Sequence, residues 1–262
     1  MADTTSCKKK LQGKVAIITG GASGIGEASA LHFINHGAQA IVIADVQDEK
    51  GQKLAESIGL DRCMYVRCDV SDEEQIKNLV ETAIKTYGHL DIMFCNAGIL
   101  SKSEQIILDF DLSDYEKLFA VNVRGVIASI KHAARAMVKG KIQGSIICTA
   151  SVSATMGGPI FTDYTMSKHA VVGLMKSASK QLGGYGIRVN CVSPGPVVTP
   201  MLCRMSGLKA EEAEKAFERS SCLKGVLKLK HVADAVLFLA SKESEFVTGH
   251  NLVVDGGFIA HG

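Results

Sequence analysis

Val15-Ala16-Ile17-Ile18-Thr19-Gly20-Gly21-Ala22-Ser23-Gly24-Ile25-Gly26 joins an apolar, β-branched run to a cluster of glycines, and a helical pattern carries on from it to about Asn35. The order is strand, glycine loop, helix. In that order backbone N–H groups can approach a pyrophosphate at the helix N-terminus, where the dipole favours anions. Gly20, Gly24 and Gly26 are spaced Gly-x-x-x-Gly-x-Gly, not the Gly-x-Gly-x-x-Gly of the commoner dinucleotide fingerprint. A merely glycine-rich turn is the alternative, and the flanking strand and helix argue against it.

The same rhythm repeats downstream. Ala40–Ala44 reads as a second buried strand ending at Asp45, where a carboxylate can accept hydrogen bonds from adenosine ribose hydroxyls and would repel a 2′-phosphate. Ser23, beside Gly24, is not the cation a 2′-phosphate would want, so NAD is favoured over NADP. A helix over Glu49–Ile58 and a strand over Cys63–Arg67 lead to Asp69-Val70. Ser71 is expected to cap a helix over Asp72–Tyr87, with Glu74 completing a capping box. Asp91–Cys95 is a fourth strand, followed by Asn96-Ala97-Gly98; Ser113–Met137 reads as one long helix containing Asn122. Strands alternating with helices in this way predict βαβ units and a mostly parallel sheet, whose ligands bind beyond the carboxyl ends of the strands.

The fifth strand, Ser145–Cys148, leads into Ser151, and thirteen residues later come Tyr164 and Lys168. Four residues apart on a helix, those two side chains share one face. A free phenol, with a pKa of about 10, is almost wholly protonated at neutral pH, and a neighbouring ammonium favours the phenolate. Bringing it near neutrality takes roughly 4 kcal/mol and would make it a usable general base. The Ser151 hydroxyl can orient a carbonyl or alcohol oxygen against it. The helix continues to about Leu182, a sixth strand covers Ile187–Val192, and Pro194–Thr199 follows. The charged, amphipathic Met201–Ser220 segment is either a lid over the site or a surface helix packed on the body. A helix over His231–Ser241 and a strand over Leu252–Val254 close the chain.

Length and composition narrow the possible functions. At 262 residues and 47 % hydrophobic content the chain is read as one α/β domain over 1–262, with residues 1–12 as a flexible N-terminus and 196–220 as a substrate lid. A net charge of +2 and the absence of Trp offer no case for nucleic acid. No apolar stretch reaches about 18 residues, so no membrane span is expected. Eight cysteines without a Cys-x-x-Cys pair read as reduced thiols, and eight histidines show no metal spacing. The expected address is cytoplasmic, with no metal.

Taken together, these motifs resemble the short-chain dehydrogenase/reductase family from Gly13 to Gly257. The likeness rests on Thr-Gly-x-x-x-Gly-x-Gly (19–26), Asp69, Asn96-Ala97-Gly98, Asn122, Ser151, Tyr164 with Lys168, Pro194-Gly195 and Asp255-Gly256-Gly257. Cys95 departs from the pattern, since many members carry a second Asn there. A closer likeness, carried by Met93–Gly98, Ile146–Ser151 and Phe246–His250, is to the plant branch that oxidises terpenoid and lignan alcohols with NAD. That branch includes nepetalactol-related proteins, of which some oxidise the lactol and others cyclise a reactive dialdehyde-enol without redox.

The resemblance implies a Rossmann-type doubly wound domain with a seven-stranded parallel sheet, and often a homotetramer packed through the helices of Asn122 and Tyr164. It assigns Tyr164 as acid/base, Lys168 to lower its pKa and hold the nicotinamide ribose, and Ser151 to the substrate oxygen. Asn122 would bend its helix and hold a water that links Lys168 to solvent. Gly20, Gly24, Ile25 and Gly26 would line the pyrophosphate, Asp45 the adenosine ribose, Asp69 and Val70 the adenine. Asn96 and Gly98 would run past the ribose, and Val197 and Thr199 would face the nicotinamide, Thr199 bonding its carboxamide. The expected activity is NAD-dependent oxidation of a small apolar cyclic secondary alcohol or lactol, such as nepetalactol. Its rival is a cyclase or isomerase that keeps NAD as a scaffold. Met156, Ile160, Phe161, Met201 and Met205 would give the pocket its apolar bias, with Arg204 as the exceptional cation.

Overall fold

Strand β1 (Val15–Thr19) is buried along its whole length. A run that is apolar on both faces suits a parallel sheet covered by helices on both sides. The computed structural model, which describes residues 9–218 and 221–259, sets β1 near the middle of such a sheet. In chain order follow α1 (Gly24–Asn35), β2 (Ala40–Asp45), α2 (Asp48–Ile58), β3 (Cys63–Arg67), α3 (Glu73–Tyr87) and β4 (Ile92–Cys95). The second half contains α4 (Leu112–Phe119), a π-helical segment (Ala120–Arg124), α5 (Gly125–Lys139), β5 (Ser145–Thr149), α6 (Thr162–Leu182) and β6 (Arg188–Pro194). It ends with α7 (Pro200–Ser206), α8 (Ala210–Phe217), α9 (Leu229–Ala240) and β7 (Asn251–Val254).

The seven strands lie in the order β3-β2-β1-β4-β5-β6-β7, all paired in parallel. Strand order reverses between β1 and β4, so the loops leaving these two strands diverge and open a crevice at their carboxyl ends. Side chains alternate across the sheet. Ile17, Met93, Ile146 and Val189 join Val80, Ala133 and Val171 in a core beneath α3, α5 and α6. Ile18, Ile43, Phe94 and Ile147 join Phe33 and Val236 in a second core beneath α1 and α9. This is the doubly wound α/β fold that the alternation of elements predicts.

Local details depart from expectation. The cap of α3 is Asp72, whose carboxylate accepts the Glu74 N–H at 3.0 Å. Ser71 instead donates through both N–H and Oγ to the carboxylate of Asp69, two residues earlier (2.9 and 2.7 Å). The helix expected over Ser113–Met137 runs further, from Leu112 to Lys139, and is not α throughout: the π segment interrupts it around Asn122. Asp111 caps it, accepting the Ser113 and Asp114 N–H groups. Just after the π segment comes Gly125, where a Cβ would stand 2.8 Å from the Val70 side chain, so the helix can lie close against the end of β3 only without one.

Of the N-terminal stretch, residues 1–8 lie outside the described residues, whereas Leu11 is buried and its N–H donates to His36 O at 2.9 Å. The 201–220 insertion folds into α7 and α8, with 219 and 220 outside the described residues. Of the seven described cysteines, Cys63, Cys68, Cys95, Cys148 and Cys191 are buried thiols, while Cys7 lies outside the described residues. No helix among the described residues is long and apolar enough to cross a membrane.

Candidate active site

A cavity of about 800 Å³ opens at the carboxyl ends of β1, β2, β4, β5 and β6. One half is built from the glycine loop. Gly20 and Gly24 have φ of 62° and 58°, which glycine adopts without strain. A Cβ on Gly20 would lie 2.8 Å from Ala97 Cα, and one on Gly26 would overlap Gly20 O, so the loop closes on itself only without side chains. Gly26 thus packs inside the loop and, unlike Gly20, Gly24 and Ile25, does not line the cavity.

Asn96 holds this loop to β4. Its Nδ2 donates to Thr19 O and Gly20 O (both 3.1 Å), and its Oδ1 accepts from Thr149 Oγ1 at 3.0 Å. Asp45 is nearly buried at the end of β2; one carboxylate oxygen accepts the Ala22 N–H at 3.0 Å and the other accepts from Gln47 N and Nε2. Asp69, Val70, Gly98, Val197 and Thr199 also line the cavity. Thr199 caps α7, its Oγ1 accepting the Leu202 N–H at 3.1 Å.

The other half carries the hydroxyls. Ser151 follows β5 and accepts the Ser153 N–H at 3.1 Å, which fixes its side chain at the cavity wall. Tyr164 and Lys168 project from the first turns of α6 into the same space. Lys168 is only 4 % exposed. Its Nζ donates to Thr149 O at 2.8 Å and stands 5.4 Å from the centre of the Tyr164 ring. Burial pulls its pKa down to about 8. Burial pushes the Tyr164 phenol up, with a hydrogen bond to Ser151 opposing the rise. The ammonium thus lies over the face of the Tyr164 ring, and desolvation is the largest influence on the phenol.

Asn122 is fully buried behind the cavity and does not line it. The π segment turns its amide toward the β4 loop: Oδ1 accepts the Ile99 N–H (2.8 Å), and Nδ2 donates to Ile99 O (3.0 Å) and Ser167 Oγ (3.2 Å). A Cβ on Gly98 would make ordinary contact with Asn122 Oδ1 (3.4 Å) and Lys168 Nζ (3.6 Å), which places this loop residue beside both groups.

A family model described as enoyl-(acyl carrier protein) reductase, of the short-chain dehydrogenase type, matches residues 20–259. The chain belongs to the short-chain dehydrogenase/reductase family. This short-chain dehydrogenase/reductase is 57 % identical to a (+)-cis,trans-nepetalactol synthase of Nepeta racemosa, over 96 % of each chain. It is 53 % identical to the mitochondrial (−)-isopiperitenol/(−)-carveol dehydrogenase of Mentha piperita, over 95 % of this chain and 94 % of that one. Identity to the secoisolariciresinol dehydrogenase of Forsythia intermedia is 48 %, over 97 % and 92 %. A crystal structure of a short-chain dehydrogenase/reductase from Mycobacterium marinum superposes with a TM-score of 0.88 at 33 % identity, over 96 % and 97 % of the chains.

Met156, Ile160, Phe161, Met201, Arg204 and Met205 all line the cavity. Sequence reasoning missed Ile99, Leu100, Phe217 and Phe258 in the same wall. Phe258 enters because the 255–259 turn folds back: Asp255 accepts the Gly257 and Ile259 N–H groups (2.8 and 3.0 Å), and the Leu223 N–H donates to Gly256 O. The adjoining Asp255-Gly256-Gly257 turn was the only available signal.

Proposed function

We propose that this protein is an NAD-dependent dehydrogenase of a small apolar cyclic secondary alcohol or lactol, a monoterpenoid or iridoid such as nepetalactol. The observation that carries the reading is the convergence of Ser151, Tyr164 and Lys168 on a cavity whose opposite side is the glycine loop and Asp45. The cradle fits a dinucleotide. Side chains are excluded at Gly20, and Asp45 presents a carboxylate where a 2′-phosphate would be repelled, which supports NAD. When bound, NAD supplies the hydride acceptor and a positive charge.

Gly20, Gly24 and Ile25 hold the pyrophosphate, with Gly26 shaping the loop; Asp45 takes the adenosine ribose, and Asp69 and Val70 flank the adenine. Gly98 and Lys168 contact the nicotinamide ribose, Asn96 braces the loop beside it, and Val197 and Thr199 face the nicotinamide. Ser151 donates to the substrate oxygen, and Tyr164 takes the hydroxyl proton as the carbinol C–H bond breaks and the carbonyl forms. Asn122 holds the loop that backs Lys168. The apolar wall of Met156, Ile160, Phe161, Met201 and Met205 gives no grip on a carboxylate or phosphate apart from Arg204.

Tyr164→Phe should abolish alcohol oxidation, measured as NADH formation, while NAD binding by calorimetry is unchanged; undiminished turnover would refute the mechanism. Because burial holds the phenol above its ordinary value, the oxidation rate should climb as pH rises above neutral.

A second reading is favoured by the nepetalactol synthases among the relatives: the same hydroxyls polarise an enol or carbonyl and cyclise it, with NAD retained as scaffold. Product formed from a dialdehyde-enol without NADH would support it. We also propose a single domain with 196–220 as lid, a cytoplasmic address, and a homotetramer packed through α5 and α6. The exposed Ile127 and Met166 on those helices support the assembly, which light scattering tests.

A further inference from the structure

Asp163 precedes the proposed base and is fully buried, and it does not itself line the cavity. One carboxylate oxygen accepts from Ser101 Oγ and the other accepts the Tyr164 N–H at 2.8 Å. Burying a carboxylate is costly unless it is well hydrogen-bonded, and its place in the first turn of α6 offsets part of that cost through the helix dipole. Ser101 belongs to the loop leaving β4, whose Ile99 and Leu100 line the cavity. That loop is anchored at Ile99 by Asn122. At its far end the Phe161 N–H donates to Glu104 O (2.6 Å) and the Thr162 N–H to Gln105 O (3.4 Å).

Each side of this seam holds one strained residue. Phe161 (φ 58°) and Gln105 (φ 53°) hold left-handed backbone conformations uncommon for residues other than glycine. Such strain persists only where the surroundings over-determine it, and it gathers at functional sites. Gln105, buried, is held by two bonds to the Asp111 backbone, at the cap of α4. Asp163 supplies the corresponding hold on the α6 side.

We propose that Asp163 is a positioning residue: with Ser101 it clasps the 99–105 loop to the start of α6, and so sets the Tyr164 phenol and the Ile99–Leu100 wall in register with each other. The reactive role of Tyr164 in this inference rests on the dehydrogenase reading, whereas the clasp itself does not. A small misplacement of a reacting group can cost about 100-fold in rate.

The test uses the full chain carrying Asp163→Ala, Asp163→Asn or Ser101→Ala, with NAD and nepetalactol as probes. Asp163→Ala should lower kcat by ~30-fold or more while the Kd for NAD stays within about twofold, and amide exchange over Ile99–Gln105 should speed up. Asp163→Asn keeps an acceptor for the Tyr164 N–H and a partner for Ser101, and should restore most of kcat and of the protection. Ser101→Ala, which removes one hydrogen bond, should lower kcat about fivefold, and it carries the test if Asp163→Ala does not fold. Wild-type kcat and exchange in Asp163→Ala, or equal losses of kcat and NAD affinity in both Asp163 variants, would overturn the clasp. A wild-type chain that oxidised no alcohol would refute the dehydrogenase reading, and the exchange arm would still decide the role of Asp163.

Discussion

The two halves of the cavity are built differently. On the glycine-loop side, Asn96 ties the loop to Thr149 and Asp45 ties it to Gln47, so the cradle is set by backbone and by short, nearly complete hydrogen-bond sets. On the other side, α7, α8 and the 255–259 turn contribute mostly side-chain bulk: Met201, Met205, Phe217 and Phe258. Close-packed backbone tolerates no added atom, whereas a wall of flexible and aromatic side chains can repack. Substitutions should therefore act all-or-none on the first side and by degrees on the second.

The largest effect is expected at the glycine loop. Gly26→Ala forces a Cβ onto Gly20 O, and neither can yield without moving the loop. A backbone shift worth ~3 kcal/mol would weaken NAD binding about 100-fold by calorimetry. Retained affinity would break the contrast between the two halves.

Lys168, at the junction of the halves, should show function and stability pulling apart. Folded, it releases its proton near pH 8, well below its ordinary value, so between about 8 and 10.5 the unfolded chain binds more protons than the folded one. Its burial therefore costs stability below pH 8, by roughly 3 kcal/mol, and that cost fades as pH rises through the window. Lys168→Met should abolish oxidation and raise Tm by ~5 °C at neutral pH, with the gain shrinking by pH 10 in thermal scans. A Tm that fell instead would show that the Thr149 hydrogen bond outweighs desolvation.

The smallest effect belongs to the far wall. Phe258→Ala removes part of the apolar surface and should raise KM for an apolar alcohol about fivefold, with kcat and NAD affinity nearly unchanged. A collapse in NAD affinity would mean that the two halves are not separable.

These differences follow how far each feature reaches along the chain. Apolar strand runs, the glycine spacing and the Tyr-x-x-x-Lys pair are local patterns, so order of elements, sheet type and the proposed catalytic set were legible residue by residue. Where two adjacent residues compete for one role the pattern failed: Asp72 took the cap assigned to Ser71, because a carboxylate accepts more strongly than a hydroxyl. The helix of Asn122 was legible as a helix, and the family likeness implied a bend at Asn122. That the bend takes the form of a π segment was not legible, since that segment answers to contacts with Ile99 and Ser167 from elsewhere in the chain.

By itself the sequence determined the doubly wound sheet, the glycine loop after β1 and the residues proposed for catalysis, Ser151, Tyr164 and Lys168, because periodicity and short-range spacing act within a few residues. Tertiary structure alone decided that Phe258 walls the cavity, that Gly26 turns inward from it, that Lys168 rides over the Tyr164 ring, and that Asp163 bonds Ser101. The places of Phe258 and Asp163 depend on segments far apart in the chain meeting at the ends of the strands, while that of Lys168 follows from its bond to Thr149 O and that of Gly26 from its packing against Gly20 O and Asn96.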